Sequence, residues 1–382
     1  MEILFITNIA NKVGNFSKAG IAAAHSLGYG FHIAANWSSS AGEQQQEEQR
    51  HGIKIHHIEL SRSPFSMRNI SAYRQLAAII KSARIDCIHC NTPVGGVLGR
   101  LAGRKCGIQK VLYQAHGFHF YKGAPLKNWL LYYPIEKWLA RYTDALITIN
   151  REDHTLAQRR LHLRKGGRVY YVPGVGIDLE KFHQTTGDRP AKRRELGIPE
   201  DAVLLLSVGE LNKNKNHETI IRAIAQLDVH YVIAGAGGLE RHLQELIDTL
   251  GLGNRVKLLG YRTDVKALYD ASDIFVFPSF REGLSMSIME AMACGLPCVA
   301  SAIRGNTDLL EHSGGAFLCR PDDASSFREN IRRLAADSEL RGKMGQSNLA
   351  AVQRFSMETV IDEIQKIYET EFGQAPNESS EV

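Results

Sequence analysis

The sequence predicts an α/β protein made of two doubly wound, Rossmann-like domains that face each other across an interdomain cleft. Three observations lead to this fold class. The chain has 382 residues, which is too long for one ordinary core. Short apolar, β-rich runs alternate with helix-length segments almost throughout, which is typical of a parallel sheet covered by helices on both faces. The alternation pauses once, at residues 173–201, in a stretch rich in Gly, Pro and charge.

The order of these segments predicts the domain boundaries. We expect an N-terminal domain at 1–175, a linker at 176–200 and a C-terminal domain at 201–356. A helix at about 357–373 would pack back on the first domain, and 374–382 would be a flexible tail. The predicted strands are 3–7, 31–35, 53–58, 87–89, 110–114, 145–149 and 169–172 in the first domain, and 203–208, 231–234, 256–259, 274–277 and 298–301 in the second. Helical segments such as 71–83 and 127–141 lie between them.

The composition favours a globular protein of a reducing compartment. Hydrophobic residues make up 44% of the chain and charged residues 23%. The start MEILFITN lacks the basic region of a signal peptide, and no apolar run is long enough to span a bilayer. The six cysteines show no disulfide framework, which favours the cytoplasm. Cys87 and Cys90 form a C-x-x-C motif, but without a second ligand pair a buried strand is favoured over a zinc or redox site.

The charge is unevenly distributed. Residues 1–175 hold 23 Lys and Arg against 10 Asp and Glu, a net charge of +13, whereas residues 176–382 carry −8. Either the first half faces an anionic partner or the two halves attract each other. Segment 121–142 joins Trp129 and Trp138 to four basic residues, as an interfacial segment requires, although such a helix is more often core. Taken with the charge, it predicts peripheral binding to anionic lipid on the inner face of the cell membrane.

Two glutamates flank the start of an apolar helix. Glu282 and Glu290 stand eight residues apart, Gly283 permits a tight turn, and a helix is predicted from about 285 to 294. The backbone N–H groups at 284–287 would face the carboxyl edge of the sheet and suit a phosphate. Eight helical residues span about 12 Å, so the two carboxylates would hold opposite ends of an extended ligand. Taken alone, they could equally be solvent-exposed acids.

Glycine or charge follows other strands as well. Lys213 and Lys215 follow strand 203–208 in GELNKNKNHETI, where they would neutralise phosphates. GAGG and GYRTD follow the next two strands. In the first domain, His116 follows strand 110–114 in AHGFHF, although a lone histidine is usually structural. The loops of the second domain add further residues to the predicted donor site: Gly209, Gly235, Gly237, Tyr261 and Arg262.

Together these motifs resemble the retaining glycosyltransferases of family 4, which have the two-domain GT-B fold. The E-x7-E pattern, SVGELNKNKNHE, GAG, DIFVFPS, AHG and PGVGIDLEKF occur in the family's order over nearly the whole chain. HGFHFYKGAPLKNWLLYYPIEKWLARYTDALITIN is most similar to the capsule and exopolysaccharide branch, including the EpsD-type biofilm enzymes. The resemblance implies a hexosyltransferase that uses neither metal nor cofactor. It would transfer a sugar, expected to be N-acetylglucosamine, from a UDP-sugar to a polyprenyl-diphosphate-linked saccharide.

The resemblance also assigns roles to single residues. Glu282 would contact the donor sugar, Lys215 would bind the diphosphate, and His116 would touch the sugar or shield the anomeric centre. Glu290 would bind the ribose, and Lys213 would supply charge that many members take from an arginine where Glu210 stands. Arg304-Gly305 replaces a double glycine of the family, which is a second departure. The remaining assignments are backbone contacts to the phosphates from Gly283, Leu284, Ser285 and Met286, and an acceptor side at Gly14 and His119.

Three other functions stay open. A GT-B nucleotide-sugar epimerase would share the fold. A glycosidase could use two carboxylates, but the diphosphate-binding features would then have no purpose. A non-catalytic nucleotide-sugar-binding partner would be expected to lack Glu282 or Lys215, and both are present. No motif indicates binding to nucleic acid.

Overall fold

The structure is a computed structural model that describes residues 1–40, 42–183 and 189–373. It divides into two compact units. The first comprises Met1–Gly176 with the described residues from Met357 on, and the second comprises Ile177–Ser356. The described part of the predicted linker contains two short helices that belong to the second unit. Residues 184–188 of that linker and the predicted tail at 374–382 lie outside the described residues.

The first unit is built on a sheet of seven parallel strands. In chain order these are β1 (Glu2–Ile9), β2 (Gly30–Asn36), β3 (Lys54–His57), β4 (Cys87–Asn91), β5 (Lys110–Ala115), β6 (Ala145–Thr148) and β7 (Arg168–Tyr171). They pair in the order β3-β2-β1-β4-β5-β6-β7. The direction of winding reverses beside β1, so the sheet is doubly wound, and the carboxyl ends of β1, β4 and β5 share one edge.

Helices cover both faces of this sheet. They are α1 (Asn15–Ser26), α2 (Gln44–His51), α3 (Arg68–Ser82), α4 (Pro93–Cys106), α5 (Leu126–Leu139), α6 (Arg151–Arg160) and, at the end of the chain, α16 (Met357–Phe372). Helices α1 and α16 pack together in one buried cluster with the sheet, and α3 to α6 contribute to a second cluster. Pro93 at the start of α4 and Gly107 after its end, with φ +74°, delimit that helix.

The second unit repeats the design with six parallel strands. They are β8 (Leu204–Val208), β9 (His230–Ala234), β10 (Val256–Leu258), β11 (Ile274–Phe277), β12 (Cys298–Ser301) and β13 (Ala316–Cys319), paired in the order β10-β9-β8-β11-β12-β13. Its helices are α7 (Leu179–His183), α8 (Arg189–Leu196), α9 (His217–Ala223), α10 (Glu240–Thr249), α11 (Val265–Ala271), α12 (Met286–Ala293), α13 (Asn306–Leu310), α14 (Ala324–Ala336) and α15 (Ser338–Ala351). Short 3₁₀ turns at Ala140–Tyr142 and Val352–Phe355 complete the secondary structure.

All twelve predicted strands are confirmed to within a few residues at their ends. The sequence analysis missed β13, an edge strand of only four residues between a glycine pair and Pro321. The C-x-x-C motif lies in the buried strand β4, as favoured. Burial raises the pKa of both thiols, Cys87 and Cys90, to about 12, which leaves them unreactive as thiolates at neutral pH.

Candidate active site

The predicted donor residues follow strands β8 to β11 of the second unit. Because all six strands of this sheet are parallel, the loops that follow them lie at the same carboxyl edge. Strand β11 pairs directly with β8. This pairing brings the loop after β8, which carries Lys215, beside the loop after β11, which carries Glu282.

Lys215 and Glu282 form an ion pair at this edge. Lys215 Nζ lies 2.7 Å from Glu282 Oε1, and the two side chains are only 20% and 14% exposed. The ammonium also lies 4.7 Å from the centre of the Phe277 ring. A Cβ at Gly209 would come within 3.2 Å of the lysine stem, so the glycine leaves room for the side chain to reach its partner. The predicted diphosphate and sugar residues are therefore direct neighbours.

Backbone and amide contacts hold the two loops together. Phe280 N–H donates to Asn214 O at 2.8 Å, and Asn214 Nδ2 donates to Arg281 O at 2.9 Å. Asn216 adopts a left-handed φ of +55°, which asparagine tolerates better than most residues. Its amide bridges the carbonyl groups of Pro278 and Pro321. The positions of Lys215 and Glu282 are thus fixed by the loops around them.

Gly283, Leu284, Ser285 and Met286, predicted to offer backbone donors, lie at the start of α12. Ser285 caps the helix, its Oγ accepting the N–H of Ile288 at 3.4 Å. The first N–H groups of a helix have no intrahelical acceptor and attract anions. Gly305 lies against this turn: a Cβ there would approach Gly283 O to 2.3 Å. Arg304-Gly305 stands where the family has two glycines, and packing therefore requires the glycine that remains, Gly305.

Glu290 lies one turn inside α12, and its side chain is partly buried. Its Oε2 accepts the hydroxyl hydrogen bond of Tyr269 at 2.9 Å. Burial raises the pKa of Glu290, and the Tyr269 hydrogen bond and the Lys181 charge oppose that rise. Burial also raises the pKa of Tyr269, so the phenol stays protonated and remains the donor.

The glycine-rich loops have a structural explanation that the sequence analysis did not foresee. A Cβ at Gly235 would come within 1.9 Å of Gly209 O, and one at Gly237 within 2.5 Å of Leu211 O. Gly235 N–H donates to Gly260 O at 2.8 Å. These glycines admit the backbone of the neighbouring loop, whatever they also do for a ligand.

Three other predicted donor residues differ strongly in environment. Lys213 is exposed and forms no ion pair with another described residue. Tyr261 is 81% exposed. Arg262 is held by Asp264 and Glu195, with the nearest atoms 2.6 and 2.8 Å away, and these contacts raise its pKa. Its guanidinium would have to leave both carboxylates to meet a nucleotide.

The carboxyl edge of the first unit carries a second polar group around His116. Its Nε2 lies 2.8 Å from Asn91 Oδ1, so the assigned arrangement has Nε2 protonated and Nδ1 free to accept. Both Nδ1 and the Asn91 amide nitrogen are buried without a partner among the described residues. Burial lowers the pKa of His116 to about 4. Phe16 packs edge-on against the ring at 4.7 Å.

Asn91 was not among the predicted site residues, although a polar residue two positions beyond the predicted strand 87–89 was a usable signal. The two predicted acceptor-side residues also belong to this unit. Gly14 precedes α1 two residues before Phe16, with no atom within 4 Å of where its Cβ would be. His119 packs on Tyr132, with ring centres 4.7 Å apart. Among the described residues, no group of three or more His, Cys, Asp and Glu could hold a metal ion.

Helix α5 shows an unusual distribution of apolar side chains. Leu126 and Leu130 are 72% and 70% exposed, and Leu131, Ile135 and Trp138 are exposed as well. Trp129, in contrast, packs against Phe120, and its Nε1 donates to Tyr121 O at 3.2 Å. Of the two predicted interfacial tryptophans, Trp138 is therefore exposed and Trp129 is partly buried. No helix in the described part of the chain is long and apolar enough to cross a membrane.

The fold matches solved glycosyltransferase structures over nearly the whole chain. HepE from Anabaena, crystallised in complex with UDP, superposes with a TM-score of 0.78 at 23% identity, covering 97% of this chain and all of HepE. WaaG, a glycosyltransferase involved in lipopolysaccharide biosynthesis, gives 0.73 at 18% identity, covering 96% of this chain and 99% of WaaG. The predicted fold class, two Rossmann-like domains of the GT-B type, is confirmed. The protein therefore has the GT-B fold.

Sequence comparison identifies the family. The family described as Glycosyl transferases group 1 matches residues 188–349, and Glycosyl transferase 4-like matches residues 3–150. EpsD of Bacillus subtilis (strain 168), whose name describes a glycosyltransferase, is 39% identical over 90% of this chain and 89% of its own length. An Escherichia coli UDP-Gal:alpha-D-GlcNAc-diphosphoundecaprenol alpha-1,3-galactosyltransferase is 30% identical over 80% of this chain and 82% of that protein. The chain belongs to the group 1, family 4-like glycosyltransferases, and the predicted enzyme class, hexosyltransferase, is confirmed.

Proposed function

We propose that the protein transfers N-acetylglucosamine, with retention, from UDP-N-acetylglucosamine to a polyprenyl-diphosphate-linked saccharide in exopolysaccharide or capsule biosynthesis. The observation that carries the proposal is the Lys215–Glu282 pair, because it sets a cation for a diphosphate beside a carboxylate for a sugar. The names of two relatives support the reaction: EpsD is described as a glycosyltransferase, and the E. coli enzyme acts on a GlcNAc-diphosphoundecaprenol. HepE has been crystallised with UDP-glucose, which supports a UDP-sugar donor.

In the proposed donor complex, different residues bind the diphosphate, the ribose and the donor sugar. Lys215, Lys213 and the N–H groups at the start of α12 bind the diphosphate, since ammonium groups and a helix N-terminus both favour phosphate charge. Glu290 accepts from the ribose hydroxyls, and Glu282 accepts from the donor sugar. We assign His116 a contact with the same sugar, in which the unprotonated Nδ1 accepts a hydroxyl hydrogen bond.

The proposed transfer breaks the bond between the anomeric carbon and the diphosphate oxygen, and its electron pair leaves with UDP. The acceptor hydroxyl oxygen attacks the anomeric carbon from the same face, and its proton passes to the departing phosphate oxygen. Negative charge grows on UDP during this step, so Lys215 and the α12 N–H groups accelerate it by binding the leaving group more tightly in the transition state.

A UDP-release assay across a panel of UDP-sugars and lipid-diphosphate acceptors tests this function. We expect release to depend on the acceptor and to be fastest with UDP-N-acetylglucosamine and a polyprenyl-diphosphate saccharide. The same panel includes UDP-galactose, the donor in the name of the E. coli relative. NMR of the product, with an α-anomeric linkage expected, tests retention. Interconversion of UDP-sugars without an acceptor would instead identify an epimerase and reject the transferase.

We also propose that the enzyme attaches reversibly to anionic lipid on the inner face of the cell membrane through α5. The exposed face of this helix combines Leu126, Leu130 and Trp138 with the exposed Lys127. Such a surface inserts apolar side chains while its lysines meet lipid phosphates, and each basic residue near the surface adds about 1 kcal/mol. The +13 charge of residues 1–175 acts in the same direction.

Co-sedimentation with vesicles tests the attachment. We expect binding to anionic vesicles at low salt, release at high salt, and little binding to neutral vesicles, because the Debye length is only about 8 Å at physiological ionic strength. Leu126→Glu with Leu130→Glu should abolish binding. Gln45→Glu with Gln49→Glu on α2 adds the same charge at exposed positions outside α5 and should not. A wild type that ignores anionic vesicles at low salt would reject the attachment.

A further inference from the structure

A cavity of about 240 Å³ opens at the amino edge of the sheet in the first unit. Arg104 at the end of α4, Arg141 and Tyr142 in the 3₁₀ turn, and Arg164 ahead of β7 line it, with Ile108 and Val111 at its apolar side. Residues that precede parallel strands lie at the edge opposite to the one that carries His116. Strand β5 has six residues, which makes it about 20 Å long. The cavity is therefore separate from the carboxyl-edge groups described above.

Three arginine side chains line this cavity, and among the described residues only Arg164 has a carboxylate partner. Arg164 lies 3.5 Å from Asp144 Oδ1 and donates to Gln109 O at 2.9 Å. Arg104 donates to the Tyr142 hydroxyl and stacks over that ring at 4.3 Å. Arg141 is exposed and makes no hydrogen bond or ion pair with another described residue. At least two positive charges of the cavity are therefore uncompensated.

The three arginines that line the cavity are suited to binding a phosphate group. A guanidinium presents five N–H donors in a planar fork that matches phosphate oxygens, and a concave surface of one charge sign raises the local concentration of anions. Arg104 is already oriented by the Tyr142 ring, so less side-chain freedom is lost when an anion binds. Placing three arginines around one cavity brings like charges together, and a bound anion would offset their repulsion.

The neighbouring surface favours a phosphate that is carried by a lipid. Trp138 packs edge-on against Tyr142, with ring centres 5.5 Å apart and planes at 89°, and it is 45% exposed. The apolar face of α5 thus continues to the rim of the cavity. A lipid headgroup could place its phosphate among the arginines while its chains meet Trp138.

We propose that Arg104, Arg141 and Arg164 form a binding site for a phosphate group, supplied by the headgroup of an anionic lipid. The site is a discrete anchor that complements the apolar contact of α5. It rests on the proposed membrane attachment only for the source of the phosphate. A soluble phosphate ester would meet the same arginines, so the two sources are distinguished by experiment.

The test measures vesicle binding by the full chain. Vesicles of neutral lipid with added phosphatidic acid are compared with vesicles of the same neutral lipid with added cholesteryl hemisuccinate, whose anionic group is a carboxylate. The two kinds of vesicle are matched in surface potential. We expect Arg104→Gln with Arg141→Gln to weaken binding to phosphatidic acid by roughly 30-fold, from about 1 kcal/mol for each basic residue and 1.4 kcal/mol for each factor of ten. Arg141→Gln alone should give roughly 5-fold and disturbs no described contact. Lys18→Gln with Arg50→Gln, two exposed positions on α1 and α2, is the charge-matched control.

The outcomes separate the possibilities. Loss confined to the arginine variants and to phosphatidic acid supports the site. Equal losses in the control pair, or equal losses on the carboxylate vesicles, would mean diffuse charge attraction and overturn it. Titration with glycerol 3-phosphate in solution, followed by NMR, tests the soluble source. If glycerol 3-phosphate binding depends on Arg104 and Arg141 but vesicle binding does not, the phosphate site is supported and the lipid headgroup is rejected as its source. UDP affinity stays unchanged in all variants if the site is distinct, so a failure of the proposed transferase would appear separately.

Discussion

Replacing Glu282 by glutamine should separate donor binding from catalysis. The Lys215 ammonium pairs with Glu282 at 2.7 Å, and both side chains are at least four-fifths buried. A diphosphate that binds Lys215 must therefore share the ammonium with this carboxylate. Glu282→Gln releases the lysine while preserving the shape of the side chain. UDP affinity should stay the same or rise, by up to about tenfold if a charge-assisted hydrogen bond near 1.5 kcal/mol is recovered.

Turnover should change in the opposite direction. If Glu282 accepts a hydrogen bond from the donor sugar mainly in the transition state, its charge contributes about 1.5–3 kcal/mol, and kcat should fall by roughly 10- to 150-fold. Calorimetry with UDP and UDP-release kinetics measure the two quantities. Glu245→Gln is the control, because it removes the carboxylate of another ion pair in the same unit, which Glu245 forms with Arg241 at 2.8 Å on the exposed side of α10. UDP binding weakened tenfold or more in Glu282→Gln, or turnover left intact, would refute the assignment.

Three further predictions concern other residues of the two edges. Lys215→Ala should reduce turnover at saturating donor far more than Lys213→Ala, which removes an exposed charge, and EDTA should leave the wild type active; strict dependence on a divalent ion would contradict this. Glu290→Gln should weaken UDP binding by roughly 10- to 150-fold in calorimetry. Burial raises the pKa of Glu290, so its ionisation opposes folding as the pH rises through that pKa. Melting curves should therefore show the glutamine variant gaining stability over the wild type from about pH 4 towards neutrality. A stability difference that stays constant with pH would contradict the burial argument. Asn91→Asp puts a carboxylate 2.8 Å from His116 Nε2 and should raise the pKa of that histidine from about 4, visible by NMR and as a new acidic limb in kcat/KM; the uncharged Asn91→Leu should produce no such limb.

The alternation of strands and helices predicted the fold well, but contacts between distant loops could not be read from it. Lys215 and Glu282 were each assigned to a strand end, yet nothing local indicates that they touch. Their contact depends on the pairing of β8 with β11, which skips two intervening strands. Strand order is set by packing of the whole sheet, whereas periodicity reports only whether a segment is a strand.

Other differences arise because a residue type fits more than one environment. Gly235 and Gly237 were assigned to ligand approach, and the structure shows that a Cβ at either position would collide with neighbouring backbone. Trp129 is partly buried and Trp138 is exposed although they share one helix, because nine residues of helix turn them to different faces. Asn91 was missed because an uncharged amide near a strand end is only a weak signal, and its importance comes from a histidine 25 residues away.

The Lys215–Glu282 pair also bears on how the product leaves. A lysine beside the start of α12 would, if unpaired, bind any phosphate tightly, and UDP retains the diphosphate after the sugar has been transferred. Once the sugar departs, Glu282 loses its proposed ligand and competes again with UDP for Lys215. We therefore expect Glu282→Gln to lower the inhibition constant for UDP and to slow UDP dissociation, measured by stopped-flow displacement. The Glu245→Gln control should release UDP at the wild-type rate. If Glu282→Gln also releases UDP at the wild-type rate, the pair does not help to expel the product.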